Sequence, residues 1–539
     1  MAEFDYIIVG AGSAGAVLAN RLSADPANRV CLLEAGKPDN SAMIHTPLGI
    51  VGLLGTKTYN WYFNTEPQRH LNDRSLYWPR GKTLGGSSSI NAMIYIRGVP
   101  SDYDRWEQAG NPGWGWSSVA PIFKALEHNE RGGDDVHGDS GELNVMDLAR
   151  PNPLGAVFLQ AAVETGLAAN PDFNGPVQEG SGPYQVTQKA GRRFSSARAF
   201  LDAIKSRPNL TIMTETRARR VLLADKRAIG VEVQSPRGIE RIMARAEVIL
   251  AGGSINSPHL LLLSGIGPRE EVERAGLQLR HELPGVGRNM QDHLDYAILI
   301  KDLSKQGIGV APGMVPRLVK AFMEYRRDKT GLLASNVAEV GGFARLTPES
   351  AEPEIQFHFL PSYLRDHGRK RSLGYGMTLH VCQLRPKSRG RIGLKNADPM
   401  ADPLIDPDYL SDPDDLGELM AGVKLGRRIM AAPSMAAISG GEVEPGAAIT
   451  DDAALEARIR AQAESIYHPV GSCKMGHDPM AVVDDRLRVH GIVGLRVVDA
   501  SIMPTLIGGN TNAPTMMIGE KASRMILADR NAPPSEAAA

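Results

Sequence analysis

Cysteine is almost missing: the 539-residue chain has three, Cys31, Cys382 and Cys473, far apart and without a C-x-x-C pair. That excludes a disulfide framework and a cysteine-ligated zinc site, and it fits a reducing compartment. Neither sign of charge is in surplus. Lys and Arg number 60 against 61 Asp and Glu, the formal charge is −1, and no basic stripe stands out, so no nucleic-acid partner is expected. No apolar run approaches the roughly 20 residues of a membrane span; the four leucines Leu260 to Leu263 end at Ser264-Gly265. The start, Met1-Ala2-Glu3-Phe4-Asp5, has no basic stretch ahead of an apolar one, so no secretory signal is expected. H-E-x-x-H and G-x-S-x-G are absent and His358, His367 and His380 lack ligand spacing, so metal and serine chemistry are set aside.

What is present begins at once. The apolar run Tyr6-Ile7-Ile8-Val9 leads into Gly10-Ala11-Gly12-Ser13-Ala14-Gly15, then an apolar helix-like stretch, then Val30-Cys31-Leu32-Leu33-Glu34-Ala35. Strand, G-x-G-x-x-G turn, helix, strand and acid together make a dinucleotide-binding βαβ unit. Gly10 suits the tight turn, Gly12 the approach of a pyrophosphate, and Gly15 the packing of helix on strand, while the helix N-terminus offers free N–H groups. Glu34 sits where a carboxylate accepts hydrogen bonds from ribose hydroxyls. This unit does not separate FAD from NAD, and no second copy of it occurs.

Further on, Gly81-Lys82-Thr83-Leu84-Gly85-Gly86-Ser87-Ser88-Ser89-Ile90-Asn91 is dense in small and hydroxyl residues, as a close approach to cofactor phosphates and ring edges requires. Residues 102–130 have helical spacing, with Trp114 and Trp116 read as packing. Residues 209–251 read as a β-meander returning to a core strand, followed by a short helix from Pro258, on which His259 reads as structural. Past about residue 300, alternating stretches such as Ile355 to Phe359 and Met377 to Val381 suggest a second domain with an antiparallel sheet. Asp412 is placed as N-cap of a helix running from Pro413 through Met430. Leu495 to Val498 reads as a strand, and Pro514 is expected to open a final helix through Leu527.

Four of these segments together resemble the glucose-methanol-choline (GMC) oxidoreductases. They are Gly81 to Gly98, Gly253 to Gly267, Tyr467-His468-Pro469-Val470-Gly471, and Gly509-Asn510-Thr511-Asn512-Ala513-Pro514-Thr515, in the family's order. The resemblance implies an α/β fold: a Rossmann-like FAD-binding domain with a β-meander, plus a substrate domain with an antiparallel sheet and helices. The implied division gives 1–150, 195–300 and 485–530 to the FAD domain, 151–194 and 301–484 to the substrate domain, and 531–539 to a disordered tail.

The same resemblance maps the active-site histidine onto His468 and its polar partner onto Asn512. FAD would be held by Gly10, Gly12, Ser13, Ala14, Gly15, Glu34 and Ala35 of the βαβ unit, with Trp61. The Gly/Ser stretch would add Gly81, Thr83, Leu84, Gly85, Ser88, Asn91, Ala92, Met93 and Ile94. Ala218 would lie against the adenine, Asp499 and Ala500 would close the other side, and Asn510, Thr511 and Ala513 would approach the flavin. Ile90 stands where some members tether FAD through a histidine, so non-covalent FAD is expected.

Within the family the nearest look is to bacterial dehydrogenases of aliphatic alcohols. The implied reaction is alcohol to aldehyde, with electrons passed to a quinone or another acceptor that is not NAD. The implied place is cytoplasmic, with a peripheral position on the inner membrane compatible with it. Choline dehydrogenase and an oxygen-using alcohol oxidase are the alternatives, with Trp61, Tyr467 and Glu339 as the candidates for a choline cage; a hydroxynitrile lyase and a silent flavoprotein are more distant ones.

Overall fold

The computed structural model describes residues 3–364, 366, 369–370 and 372–531. His367, Gly368 and the expected tail from 532 lie outside the described residues. The chain opens with β1 (Glu3–Val9), α1 (Ser13–Leu22) and β2 (Val30–Leu33), and returns through β3 (Gly180–Pro183), β4 (Leu210–Met213), β5 (Arg217–Ala224), β6 (Arg227–Ser235), β7 (Gly238–Leu250) and α2 (Gly253–Leu263). Then come β8 (Leu294–Asp302), α3 (Met314–Asp328), β9 (Val340–Ala344), β10 (Ile355–Leu360), β11 (Gly374–Gln383), α4 (Pro413–Met430), β12 (Ser439–Glu444), β13 (Leu495–Val497) and α5 (Asn512–Asn531).

Two sheets organise these elements. In the first, the order is β4–β2–β1–β7–β6–β5, with β13 also on β7. β1 runs parallel to β2 and to the end of β7, Ile7 standing opposite Cys31 and Val248, while β5, β6 and β7 form the antiparallel meander. Burial on both faces accounts for the continuous apolar runs of β1 and β2, since a parallel central strand has no solvent side. The second sheet runs β12–β8–β11–β10–β9–β3, all antiparallel, with α4 across β11.

Several expected boundaries move. β8 pairs inside the second sheet, so the expected division at 300 falls within a strand. α2 starts at Gly253 rather than Pro258; the proline lies inside it, and the Ser254 carbonyl that its missing N–H leaves open accepts from the Ser472 hydroxyl. The final helix begins at Asn512, two residues before Pro514. Residues 102–130 carry two helices, Pro100–Gln108 and Trp116–Leu126, broken around the buried Trp114. α4 has its expected bounds, with the Asp412 side chain accepting from the Asp414 N–H. No helix among the described residues is long and apolar enough to cross a membrane.

The first turn is set by contact. Gly10 takes φ +110°, and a Cβ there would meet the Ala251 carbonyl oxygen at 2.4 Å. A Cβ on Gly15 would lie 1.9 Å from the Gly10 carbonyl oxygen, so α1 rests directly on the turn. Gly15→Ala must push helix and strand apart at a cost of about 1–3 kcal/mol. The midpoint of denaturant unfolding should fall accordingly, and an unchanged midpoint contradicts this packing.

Candidate active site

A cavity of about 370 Å³ runs between the two sheets, from Glu34 at one end to His468 at the other. At the Glu34 end the wall is Gly10, Gly12, Ser13, Ala14, Ala35, Trp61 and Ala218. α1 has glycine as its N-cap and no side-chain cap, so its first N–H groups face the cavity. Glu34 is buried, and its carboxylate accepts from the N–H groups of Ala11 at 3.2 Å and Gly36 at 2.8 Å. Burial outweighs those bonds and pushes the carboxyl up to about 7. The Trp61 ring lies under two cations, Lys82 Nζ at 4.4 Å and the Arg217 guanidinium at 4.9 Å from its centroid.

The Gly/Ser stretch reaches the cavity with only part of its length. Gly81, Gly86, Ser87 and Ile90 through Ile94 are on the wall, and a Cβ on Gly86 would stand 2.8 Å from Gly12 Cα, so two backbones touch here. Thr83, Leu84, Gly85 and Ser88 do not line it. Their groups hold the loop together instead: Thr83 Oγ1 donates to the Lys37 carbonyl at 2.7 Å, and Ser88 Oγ to the Gly85 carbonyl at 2.6 Å. Gly15 and Ala513 also lie off the wall. Asp499 and Ala500 are on it, but the Asp499 carboxylate is occupied by the Gly253 and Ser501 N–H groups and the Ser257 hydroxyl.

At the other end His468 belongs to a directional chain. The Leu384 carbonyl can only accept, so His293 Nε2, 3.1 Å away, carries the proton, and His293 Nδ1 is left with its lone pair. His468 Nδ1 then donates to it at 3.0 Å, and His468 Nε2 keeps the lone pair. Asn510 Nδ2 donates to that nitrogen at 3.2 Å, while Gln356 Nε2 donates to Asn510 Oδ1 at 3.1 Å and so fixes which way the amide points. The His468 backbone N–H is held by Asp292 at 2.6 Å. Desolvation, followed by the neighbouring His293, His358 and Arg80, lowers His468 well below its ordinary value of 6.5. The imidazole is therefore neutral near pH 7, a base on the cavity wall whose Nε2 lone pair is held by the Asn510 amide.

His468 Nε2 meets Asn510 in this structure, and Asn512, the expected partner, stands on the same cavity wall. Asn512 is the first residue of α5, and its Oδ1 accepts from Ser13 Oγ at 2.7 Å, joining the N-termini of α5 and α1 beside the cavity. With two asparagines two residues apart, sequence order alone could not choose between them. His293, Gln356 and Asp292 were missed; the pair Asp292-His293 was visible, but nothing in the sequence placed it behind His468. His259 also reaches the wall, buried and lowered to about 3 by desolvation. Three wall residues hold left-handed backbone, Met93 at φ 60°, Val337 at 73° and Tyr467 at 72°, the kind of strain that gathers at functional sites.

A glycine turn on a parallel sheet, an uncapped helix and a buried acid, joined to a neutral imidazole by one cavity, define a dinucleotide-dependent oxidoreductase. Two family models, each described as GMC oxidoreductase, match residues 4–295 and 386–519. The chain belongs to that family. It is 56% identical over 527 residues to an alcohol dehydrogenase [acceptor] of Pseudomonas putida, covering 97% of this chain and 96% of that one. It is 44% identical to the mitochondrial choline dehydrogenase of Homo sapiens, over 97% and 90% of the two chains. Among solved structures, pyridoxine 4-oxidase from Mesorbium loti superposes with a TM-score of 0.86 at 32% identity, over 97% and 98% of the chains. A formate oxidase of Aspergillus oryzae RIB40, solved in connection with its FAD modification, gives 0.91 at 25%, over 98% of each.

FAD is the cofactor this family membership brings, and the wall fits it. The touching Gly12 and Gly86 backbones leave room where side chains would block a diphosphate, and α1 presents unpaired N–H groups there. Asn336 Oδ1 and His358 Nδ1, both buried on the wall, have no partner in the protein and suit a polar ring edge. Two outcomes are expected. Ribose hydroxyls favour the ionised Glu34, so FAD affinity should rise about tenfold between about pH 6 and pH 8, as pH passes the raised pKa; a flat profile contradicts Glu34 as the ribose acceptor. His293→Phe removes the acceptor for His468 Nδ1 and should slow alcohol-driven flavin reduction by about 10–100-fold with FAD retained; an unchanged rate contradicts the positioning role.

Proposed function

We propose that the protein is an FAD-dependent alcohol dehydrogenase that oxidises primary aliphatic alcohols to aldehydes and passes the electrons to a quinone or another acceptor that is not NAD. The observation that carries this reading is the neutral His468, its Nε2 shared with the Asn510 amide beside an apolar patch of the cavity wall. Val337, Ala338, Leu360, Leu364 and Ile466 form that patch, a surface for an alkyl chain.

FAD, bound without a covalent tether because Ile90 offers no nucleophile, supplies a hydride acceptor. The chain's residues do the rest. His468 Nε2 takes the hydroxyl proton, which leaves the electron pair on oxygen that drives hydride departure from the carbinol carbon. Asn510 Nδ2, aimed by Gln356, gives up its bond to His468 Nε2 and donates to the same oxygen as its charge grows. His293 holds the ring in the tautomer that can accept. The N-termini of α1 and α5 favour negative charge at the phosphates and at the far edge of the cofactor.

The choline reading has less support. Among the described wall residues the only carboxylates are Glu34 and Asp499, both away from the apolar patch. Glu339 is not on the wall; it accepts from the Ser335 hydroxyl and the Asn152 N–H. A quaternary ammonium would find no wall carboxylate beside His468, and of the aromatic candidates Trp61 and Tyr467, both on the wall, Trp61 stands at the Glu34 end.

His468→Ala should lower alcohol-driven flavin bleaching by about 10²–10⁴-fold with FAD still bound. Asn510→Ala should lose rate, whereas Asn512→Ala should loosen FAD. If the two asparagine variants exchange these effects, the assignment to Asn510 fails. Acid precipitation should release all the flavin into the supernatant; colour staying with the pellet contradicts non-covalent binding. Turnover of 1-octanol in preference to choline, with a quinone analogue in preference to oxygen, tests the substrate and acceptor together.

A further inference from the structure

The largest anomaly outside the cavity is α3. Val315, Leu318, Val319, Phe322 and Met323 are each between 45 and 63% exposed, at the i, i+3, i+4, i+7, i+8 spacing that puts them on one helix face. Only Met314, Ala321 and Tyr325 face inward. The helix is thus apolar on two faces and covered on one.

The charge around this face is one-sided. Residues 303–332 contain six cations, Lys305, Arg317, Lys320, Arg326, Arg327 and Lys329, against Glu324 and Asp328, a surplus of four in a chain whose total is −1. The two acids are already engaged, Glu324 by Arg150 and Asp328 by Arg327. An apolar face bordered by lysine and arginine is the composition of a helix that lies in the interface of an anionic bilayer. A second copy is the poorer occupant, since face-to-face pairing would bring two such surpluses together.

The surface continues toward the cavity. Val310, exposed just before α3, bridges to the exposed Leu373, and Ile308 bridges to Ser362, two residues from the wall residues Leu360 and Leu364. After α3 the chain passes directly into the wall residues Asn336, Val337 and Ala338. Val51, itself exposed, is on the wall as well.

We propose that α3 and the adjoining Val310 and Leu373 dock the enzyme on the surface of an anionic lipid bilayer, with the apolar face among the acyl chains and the cations at the headgroups. Docking there sets the cavity beside the phase that dissolves long-chain alcohols and quinones. That link rests on the proposed activity; the docking does not.

The test uses full-length, FAD-loaded protein and sedimentation with sucrose-loaded vesicles of phosphatidylcholine, alone or with phosphatidylglycerol. Anionic vesicles should bind at least about tenfold better than neutral ones, and about 0.5 M salt should weaken the difference. Phe322→Asp with Met323→Asp, and separately Lys320→Glu with Arg326→Glu, should each lose at least about tenfold in partition. Alcohol oxidation with a soluble dye as acceptor and the sedimentation coefficient should not change. Equal binding to both vesicle types, or variants that bind as the parent does, overturns the proposal. So does a parent oligomer that the apolar variant dissociates, because a second copy then covers the face. Failure of dye-linked alcohol oxidation in the parent, with vesicle binding intact, would instead remove the proposed activity and leave the docking surface standing.

Discussion

The carbonyl oxygen of Leu384 can only accept a hydrogen bond, and that restriction passes, donor by donor, through His293 to His468. Two imidazoles in contact have several arrangements of protons; one fixed acceptor leaves a single arrangement. At the end of the chain stands a lone pair on His468 Nε2, met by the Asn510 amide, whose own direction is set by Gln356. Burial adds the second half of the constraint. A cation deep between two sheets and next to a second imidazole is disfavoured, so the ring stays neutral, while Asp292 binds the backbone N–H of His468 and not its ring.

The fold makes this possible by bringing distant segments to one cavity. The first sheet carries the glycine turn and Glu34, and the second carries Gln356 and His358 on β10. Asp292-His293, just ahead of β8, and His468-Pro469, just after the short strand 464–465 that pairs with β8, stand at the junction. α1 and α5 pack on each other across almost 500 residues of sequence, with Ser13 and Asn512 bonded at the point where both helices begin. The protein's two functions, holding a dinucleotide and holding a base, are therefore not separable into halves of the chain.

Much of the nucleotide end was readable in the sequence because its physics is local. A glycine turn, an apolar strand on either side and an acid after the second strand sit within residues 6–34, and each residue's task follows from its neighbours. The reactive end was readable only through resemblance to a family. Even then the resemblance did not show that Asn510 would meet His468, because that contact depends on α5 starting at Asn512 and turning that side chain toward Ser13. The Gly/Ser stretch shows the same limit: its composition announced a close approach, but which hydroxyls would be consumed inside the loop depended on Lys37 and Ser196, which the stretch itself does not contain. His293 and Gln356 had no local signature, since their role exists only in the packed sheet.

These features converge on hydride removal from a carbinol carbon, with the proton going to His468. The most direct measurement is anaerobic rapid mixing of the oxidised flavoprotein with 1-octanol and with 1-octanol carrying deuterium at carbon 1. The account predicts that flavin absorbance bleaches in a single turnover, that octanal forms in equal amount, and that deuterium slows the bleaching several-fold. A spectrum that does not change, or bleaching at the same rate with both alcohols, would contradict it.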